Sequence, residues 1–126
     1  MYNLYLDDIR VPLDSYYYTF NEKYDYLDWV TVRSYDDFVS YINEHGLPEL
    51  ISFDHNLADE HYNSLLNEKD FDYGSYREKT GFECVKWLVD HCLNTGDKMP
   101  ECLYHTQNII GGVNMKSYVD NFLKYQ

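Results

Sequence analysis

The stretch LISFDHNLADEH, residues 50–61, changes within one residue from an apolar run to a cluster of carboxylates and imidazoles. The run Leu50–Phe53 is short and mostly apolar, which predicts a buried β-strand. Asp54 and His55 follow it directly, and three further acidic or histidine residues come by residue 61. In parallel α/β sheets, ligands bind just beyond the carboxyl ends of the strands, so this junction is the first candidate for a functional site.

Three other segments are predicted to be strands of the same sheet. Residues 3–6 form a short run that Asp7 and Asp8 end, residues 29–33 are rich in β-forming side chains, and residues 102–104 form the last strand. Helical patterns fill the intervals, and this alternation implies parallel strands joined by crossover connections. We therefore expect an α/β three-layer sandwich with a four-stranded parallel sheet.

Capping residues and apolar spacing predict where the helices begin and end. The predicted starts are Asp14, for a weak helix after a proline, then Ser34, Thr80, and Gly112 or Val113. Ser34 and Thr80 are each followed three residues later by an acidic residue, Asp37 and Glu83, as in a capping box. Gly46 and Gly96 are the predicted C-terminal ends of the middle helices. Tyr16, Tyr17 and Tyr18 carry no predicted role.

The composition fits one globular domain, residues 1–126, with 44% hydrophobic and 25% charged residues. No run approaches the roughly 20 apolar residues that span a bilayer, and the segment MYNLYLDDIR lacks the regions of a signal peptide. We expect a cytoplasmic protein with no membrane association. The formal net charge of −12 argues against nucleic acid as a partner. Three cysteines without CxxC spacing argue against a disulfide framework, and Cys84 and Cys92 are predicted to be buried thiols.

Asp7, Asp8 and Asp54 are the candidate metal ligands. They follow two different predicted strands and so meet at one edge of the sheet, where their charges would repel each other. A divalent cation would relieve this repulsion, and oxygen ligands favour Mg²⁺, Mn²⁺ or Ca²⁺. The alternative is that one residue of the pair caps the loop while the others face solvent.

Histidines form a second candidate group at the same edge. His55 and His105 each adjoin a predicted strand end. His61 lies near the start of a long polar segment, residues 59–79, and either reaches the site or misses it. Near neutral pH an imidazole acts as a general base and an imidazolium as a general acid. The alternatives are a transition-metal site shared with the carboxylates, or a structural role.

Arginines and a glycine-containing turn offer anion binding. Arg10 and Arg33 lie near the predicted edge, where a guanidinium binds phosphate in a bidentate manner or instead pairs with Asp7 or Asp8. The segment HTQN, residues 105–108, leads to two glycines and the last helix, whose N-terminus would attract an anion. A plain turn is the alternative for this segment.

Two segments, LYLDD at residues 4–8 and FD at 53–54, resemble the acidic pocket of a response-regulator receiver domain. The resemblance implies a truncated flavodoxin-like sheet with strand order 2-1-3-4. It assigns metal binding to Asp7, Asp8 and the backbone carbonyl of Asn56, the phosphoacceptor position to Asp54, and the hydroxyl position after the fourth strand to Thr106.

The chain departs from ordinary receivers after the fourth strand. It continues through one helix, so we expect no fifth strand and no strand-end lysine. Lys116 and Lys124 fall within the last predicted helix and do not fill that position. This departure argues against phosphorelay signalling.

A closer resemblance is to a divergent group, the cyclic-phosphate processing receiver-like domains. Their pattern is similar to LYLDDIR, VR, SFDHNL, a TG pair before a helix, and HTQN with a following glycine. The match runs in that order over nearly the whole chain. The resemblance implies action on cyclic phosphates in phage and bacterial conflict settings.

The leading hypothesis is therefore a metal-dependent phosphoesterase-like enzyme that processes a cyclic phosphate or another nucleotide-derived substrate. The predicted roles are Mg²⁺ or Mn²⁺ binding by Asp7, Asp8 and Asp54, proton exchange by His55 and His105, and phosphate or substrate binding by Arg10, Arg33, Thr106 and Asn108. The alternative is a non-catalytic receiver-like module that sequesters a nucleotide ligand or docks on a protein partner. A phosphorylatable receiver and an acidic nucleic-acid mimic are weaker hypotheses.

Overall fold

A computed structural model describes residues 1–57 and 79–126 of the chain. The described elements are β1 (Asn3–Leu6), α1 (Pro12–Thr19), α2 (Lys23–Tyr26), β2 (Val30–Val32), α3 (Tyr35–His45), β3 (Leu50–Phe53), α4 (Gly81–Thr95), β4 (Glu101–Tyr104) and α5 (Ile109–Leu123). None of the helices in these two ranges is both long and apolar enough to cross a membrane.

The four strands form one parallel sheet in the order β2-β1-β3-β4. Tyr5 in β1 pairs with Thr31 in β2 and with Ser52 in β3, and Ser52 pairs with Leu103 in β4. This arrangement confirms the predicted α/β class, the four parallel strands and the order 2-1-3-4. The carboxyl ends of all four strands consequently lie along one edge of the sheet.

The two faces of the sheet are packed in different ways. One face supplies Leu4, Leu6, Ile51 and Phe53 to an apolar core that also contains buried residues of α3, α4 and α5. On the other face, Tyr5 contacts Ser15 of α1 and the ring of Tyr24 of α2. The second face is therefore covered by a layer of hydroxyl and aromatic groups.

Capping residues account for some of the helix boundaries. The Ser34 hydroxyl accepts a hydrogen bond from the Asp37 amide, as predicted, and Gly96 ends α4 with φ of 76°, a conformation that favours glycine. Thr80 precedes α4 as predicted, but its side chain makes no capping bond. The Gly81 amide instead donates to the carbonyl of His55, 2.7 Å away, which ties the start of α4 to the end of β3.

Several predicted boundaries were wrong. The last helix begins at Ile109 rather than at Gly112 or Val113, because Asn108 caps it by accepting a hydrogen bond from the Gly111 amide. Helix α1 begins at Pro12 rather than Asp14, since proline fits the first turn of a helix. Helix α2 was not predicted. Strand β2 covers only Val30–Val32, and the predicted free thiols of α4 are buried as expected.

Candidate functional site

Three side chains from three strand ends meet at the carboxyl edge of the sheet. Asp7, Asp54 and His105 follow β1, β3 and β4, and one ligand atom of each lies within 4.8 Å of the others. All three residues are buried. The structure thus confirms the convergence expected from the sequence, while Asp8, which is only partly buried, is not a member of this group.

Asp7 has hydrogen-bond donors on both carboxylate oxygens. Its Oδ1 accepts from the backbone amides of Ile9 and Arg10 at 2.9 and 2.8 Å, and its Oδ2 lies 3.1 Å from Nε2 of His105. Burial raises the pKa of Asp7, but the hydrogen bonds from His105, Arg10 and Ile9 outweigh burial and lower it to about 2. Asp7 therefore caps the loop after β1 and stays ionised inside the site.

Asp54 lies in the opposite electrostatic environment. Its Oδ1 accepts from the His55 amide at 2.9 Å, whereas its buried Oδ2 has no hydrogen-bond partner among the described residues. Burial, and next the charge of Asp7, raise the pKa of Asp54 to about 7, and the Thr106 hydroxyl and the His55 amide lower it only in part. An unpartnered carboxylate oxygen beside a second carboxylate fits a hard divalent cation, so the residues suit the predicted metal.

His105 is 1% exposed, and both of its ring nitrogens have protein partners. Nδ1 lies 2.6 Å from Oγ of Ser52, and Nε2 faces Asp7. The imidazole stacks on the Tyr5 ring with centroids 4.3 Å apart. Burial lowers the pKa of His105, although Asp7 acts against this shift. Sequence reasoning missed Tyr5 and Ser52, whose signal was a polar group in the middle of an otherwise apolar strand.

The two predicted phosphate-binding arginines have different positions. Nη1 of Arg10 lies 3.5 Å from Asp7 Oδ2, and Nη2 donates to Oε1 of Gln107 at 2.9 Å. Nη1 of Arg33 donates to the backbone carbonyls of Asp7 and Arg10, at 3.3 and 2.6 Å. Arg10 thus forms the ion pair considered as an alternative, and Arg33 fastens the loop after β1.

A cavity of about 440 Å³ opens beside this cluster. Polar groups line one part of it, and two exposed isoleucines at the start of α5 line another. The lining residues are Arg10, Asp54, Asn56, Thr106, Gln107, Asn108, Ile109 and Ile110. The cavity therefore combines a guanidinium, a buried carboxylate and a helix N-terminus, which together suit a phosphorylated ligand.

His55 is directed elsewhere. Its Nδ1 lies 2.7 Å from Oδ1 of Asn56, and its side chain lines a neighbouring cavity of about 590 Å³ between α4 and α5. Asn108 lies between the two cavities, with Nδ2 3.3 Å from Asn56 Oδ1. The structure thus places Thr106 and Asn108 at the first cavity and His55 at its boundary. The predictions for His61 and for most of the segment 59–79 concern residues outside the described ranges.

The fold and this geometry agree with one comparison to known proteins. A model of the family described as the cyclic-phosphate processing receiver domain matches residues 2–121. The chain belongs to this family. Neither the curated proteins nor the solved structures that were compared with it contain a match. The match confirms the resemblance noted from LYLDDIR and SFDHNL.

Proposed function

We propose that this receiver domain is a metal-dependent phosphoesterase that opens the cyclic phosphate of a small nucleotide-derived ligand. The observation that carries the proposal is the buried Oδ2 of Asp54, which lies beside Asp7 at the edge of a cavity lined by Arg10 and Thr106. Mg²⁺ or Mn²⁺ held by Asp7 and Asp54 would polarise a phosphoryl oxygen. The assignment of Asp8 as a further ligand stays a prediction, as does the cytoplasmic location.

The phosphate would be bound by groups that face the first cavity. The Arg10 guanidinium is held there by Asp7 and Gln107, and Arg33 fixes the backbone of the same loop. Thr106 and Asn108 add a hydroxyl and an amide at the N-terminus of α5. Pre-positioned donors of this kind stabilise charge that develops on phosphoryl oxygens.

Ring opening by hydrolysis consumes one water. The water oxygen bonds to phosphorus, one ester P–O bond breaks, and the leaving oxygen takes up a proton. The short contact from Nδ1 of His55 to the Asn56 side-chain oxygen favours a proton on Nδ1, which makes Nε2 the basic nitrogen of the neutral ring. Proton exchange by His55 nevertheless stays a prediction, because its side chain lines the neighbouring cavity and reaches the first one only at its boundary. The corresponding role of His105 stays a prediction.

A panel of nucleoside 2′,3′-cyclic phosphates, cyclic dinucleotides and an ADP-ribose cyclic phosphate, each with Mg²⁺ or Mn²⁺, tests the proposal. Turnover of at least one member is expected, and Asp54→Asn should reduce it about a hundredfold or more, the order expected when an electrostatic group is lost. Asp90→Asn, at an exposed position of α4, is the matched control. Absence of turnover across the panel, or full activity in Asp54→Asn, would contradict the proposal.

A ligand-sequestering module is the second candidate, and one observation favours it. His105 is buried with both ring nitrogens engaged, which removes one of the two predicted proton-exchanging groups from the cavity surface. Calorimetry with the same panel distinguishes the two functions. Tight binding without formation of a phosphomonoester supports sequestration of a nucleotide ligand.

A further inference from the structure

A chain of hydrogen bonds crosses the sheet and ends on Asp7. The Tyr24 hydroxyl lies 2.6 Å from Oγ of Ser52, which lies 2.6 Å from Nδ1 of His105. Nε2 of His105 continues the chain to Asp7 Oδ2 at 3.1 Å. The three groups come from α2, β3 and the end of β4, so the chain links three elements to one carboxylate.

The direction of this chain follows from the chemistry of its ends. An ionised carboxylate only accepts hydrogen bonds, so Nε2 of His105 carries a proton and donates it to Asp7. A ring with a single proton therefore has it on Nε2, which leaves Nδ1 as an acceptor for the Ser52 hydroxyl. Because the Ser52 hydroxyl donates its only proton to Nδ1, it accepts a hydrogen bond from the Tyr24 hydroxyl.

A second chain fixes the backbone of His105. The Tyr18 hydroxyl donates to the His105 carbonyl at 2.6 Å, because a carbonyl only accepts. The Ser15 hydroxyl, 3.0 Å from Tyr18, must then donate to it, and the Tyr5 hydroxyl donates to Ser15 at 2.7 Å. Hydroxyl groups thus hold both the ring and the backbone of His105.

We propose that His105 is a positioning residue: its Nε2–H orients Asp7 Oδ2 toward Asp54, and Ser52 and Tyr24 fix the tautomer of the ring. His105 is buried and does not line the cavity beside Asp54, so its geometry suits an action through Asp7. Groups that orient a metal-binding carboxylate in this way are worth about 10- to 100-fold in affinity or activity. The activity readout of this inference rests on the proposed function, whereas the tautomer does not.

Nitrogen-15 NMR of the histidine rings tests the tautomer directly, with the His105→Gln spectrum identifying the His105 signals. In the neutral ring we expect the proton on Nε2. In Tyr24→Phe and Ser52→Ala the signals should shift toward a mixture of tautomers. Tyr2→Phe, which removes a hydroxyl that donates to the Gly46 carbonyl at the other end of β1, should leave them unchanged. A neutral ring protonated at Nδ1 would overturn the proposal.

Paired substitutions at His105 separate positioning from proton exchange. His105→Gln keeps an N–H donor near the position of Nε2 without a titrating ring, whereas His105→Leu removes the donor. We expect Mn²⁺ affinity by calorimetry, and kcat on any cyclic phosphate turned over, to fall about 10- to 100-fold in His105→Leu and only a few-fold in His105→Gln. His45→Gln, at an exposed position of α3, is the control.

The outcomes distinguish this inference from the proposed function. A His105→Gln variant that binds Mn²⁺ normally but loses kcat as fully as His105→Leu would show proton exchange and overturn positioning. If the wild-type protein turns over no cyclic phosphate, the proposed function fails, while the tautomer and the Mn²⁺ affinities still decide the role of His105. Should His105→Leu not fold, as judged by circular dichroism, Ser52→Ala replaces it, and unchanged Mn²⁺ affinity there would count against the proposal.

Discussion

Asp7 and Asp54 are the same residue type in one site, yet their pKa values shift in opposite directions. Donors from His105 and two backbone amides lower that of Asp7 to about 2, whereas burial and the neighbouring charge of Asp7 raise that of Asp54 to about 7. The raised folded-state pKa of Asp54 gives its full stabilisation at pH values below the unfolded-state pKa. This stabilisation is lost as the pH rises through 7. A lowered folded-state pKa, as in Asp7, stabilises the protein above the unfolded-state pKa. This stabilisation is lost as the pH falls toward 2.

Asp54→Asn should therefore stabilise the protein at pH 8 in the absence of divalent ions. The gain over wild type should grow between pH 4 and 8 to an upper bound of about 4 kcal/mol, at roughly 1.4 kcal/mol per pKa unit. Urea unfolding at several pH values with a chelator present measures it, with Asp90→Asn as the control. A gain that does not change with pH would contradict the raised pKa of Asp54.

The positions of site residues were predicted best where a single physical argument determined them. The carboxylates were found because charged groups that end buried strands require a partner. Ser52 and Tyr24 were not found, because their contacts join residues 28 and 53 positions apart and no local pattern reports such distances. His55 was placed at the correct edge, but which cavity it faces depends on the packing of Asn56 and Asn108.

At the scale of the elements, glycines set how closely the helices approach the site. A Cβ on Gly81, the first residue of α4, would overlap the backbone oxygen of Asp54. A Cβ on Gly111, in the first turn of α5, would lie 2.6 Å from the His55 ring. The sequence predicts a helix start at Gly112 or Val113, whereas the Asn108 cap places both Gly111 and Gly112 inside α5. The strands, whose signals are local, were predicted with small boundary errors.

Gly111→Ala should destabilise the protein by about 1–3 kcal/mol, the usual cost of overpacking, because its methyl group would displace the His55 ring. Gly112→Ala is the matched control in the next position of the same helix. Its Cβ would lie 3.2 Å from Cγ2 of Thr106, and its cost is offset by up to about 1 kcal/mol of helix propensity. Urea unfolding compares the two, and equal stabilities would contradict the close packing of α5 on His55.

The whole molecule is a parallel sheet with two unlike layers on its faces. The convergence of the strands' carboxyl ends was predictable, because strand–helix alternation implies parallel strands. The order of the strands followed instead from the resemblance to receiver domains. The layer of hydroxyl and aromatic groups over Tyr5 and Ser52 was not, since it depends on two short helices whose sequences lack a clear apolar period. That layer contacts Asp7 through His105, and the cavity lies on the other side of the carboxylate pair.

Mg²⁺ or Mn²⁺ at millimolar concentration should raise the melting temperature of the wild-type protein. An ion that binds the native state stabilises it by mass action, by about 2.7 kcal/mol at a hundred times the Kd. Differential scanning fluorimetry at pH 7.5 measures the shift, with Asp90→Asn behaving as wild type. Asp54→Asn should show no such rise, although it starts from a higher stability without ions. If neither ion changes the melting temperature of the wild-type protein, the metal site is contradicted.

The different composition of the two layers gives the molecule two built-in optical reporters. Trp29 stacks on Tyr24 with centroids 5.6 Å apart, in the hydroxyl-bearing layer, whereas Trp87 contacts Phe38 in the apolar layer. The emission of Trp29, isolated in Trp87→Phe, therefore reports the surroundings of Tyr24, and the emission of Trp87, isolated in Trp29→Phe, reports the opposite side. Loosening of either layer can thus be followed separately, by colour and intensity, without attaching a dye.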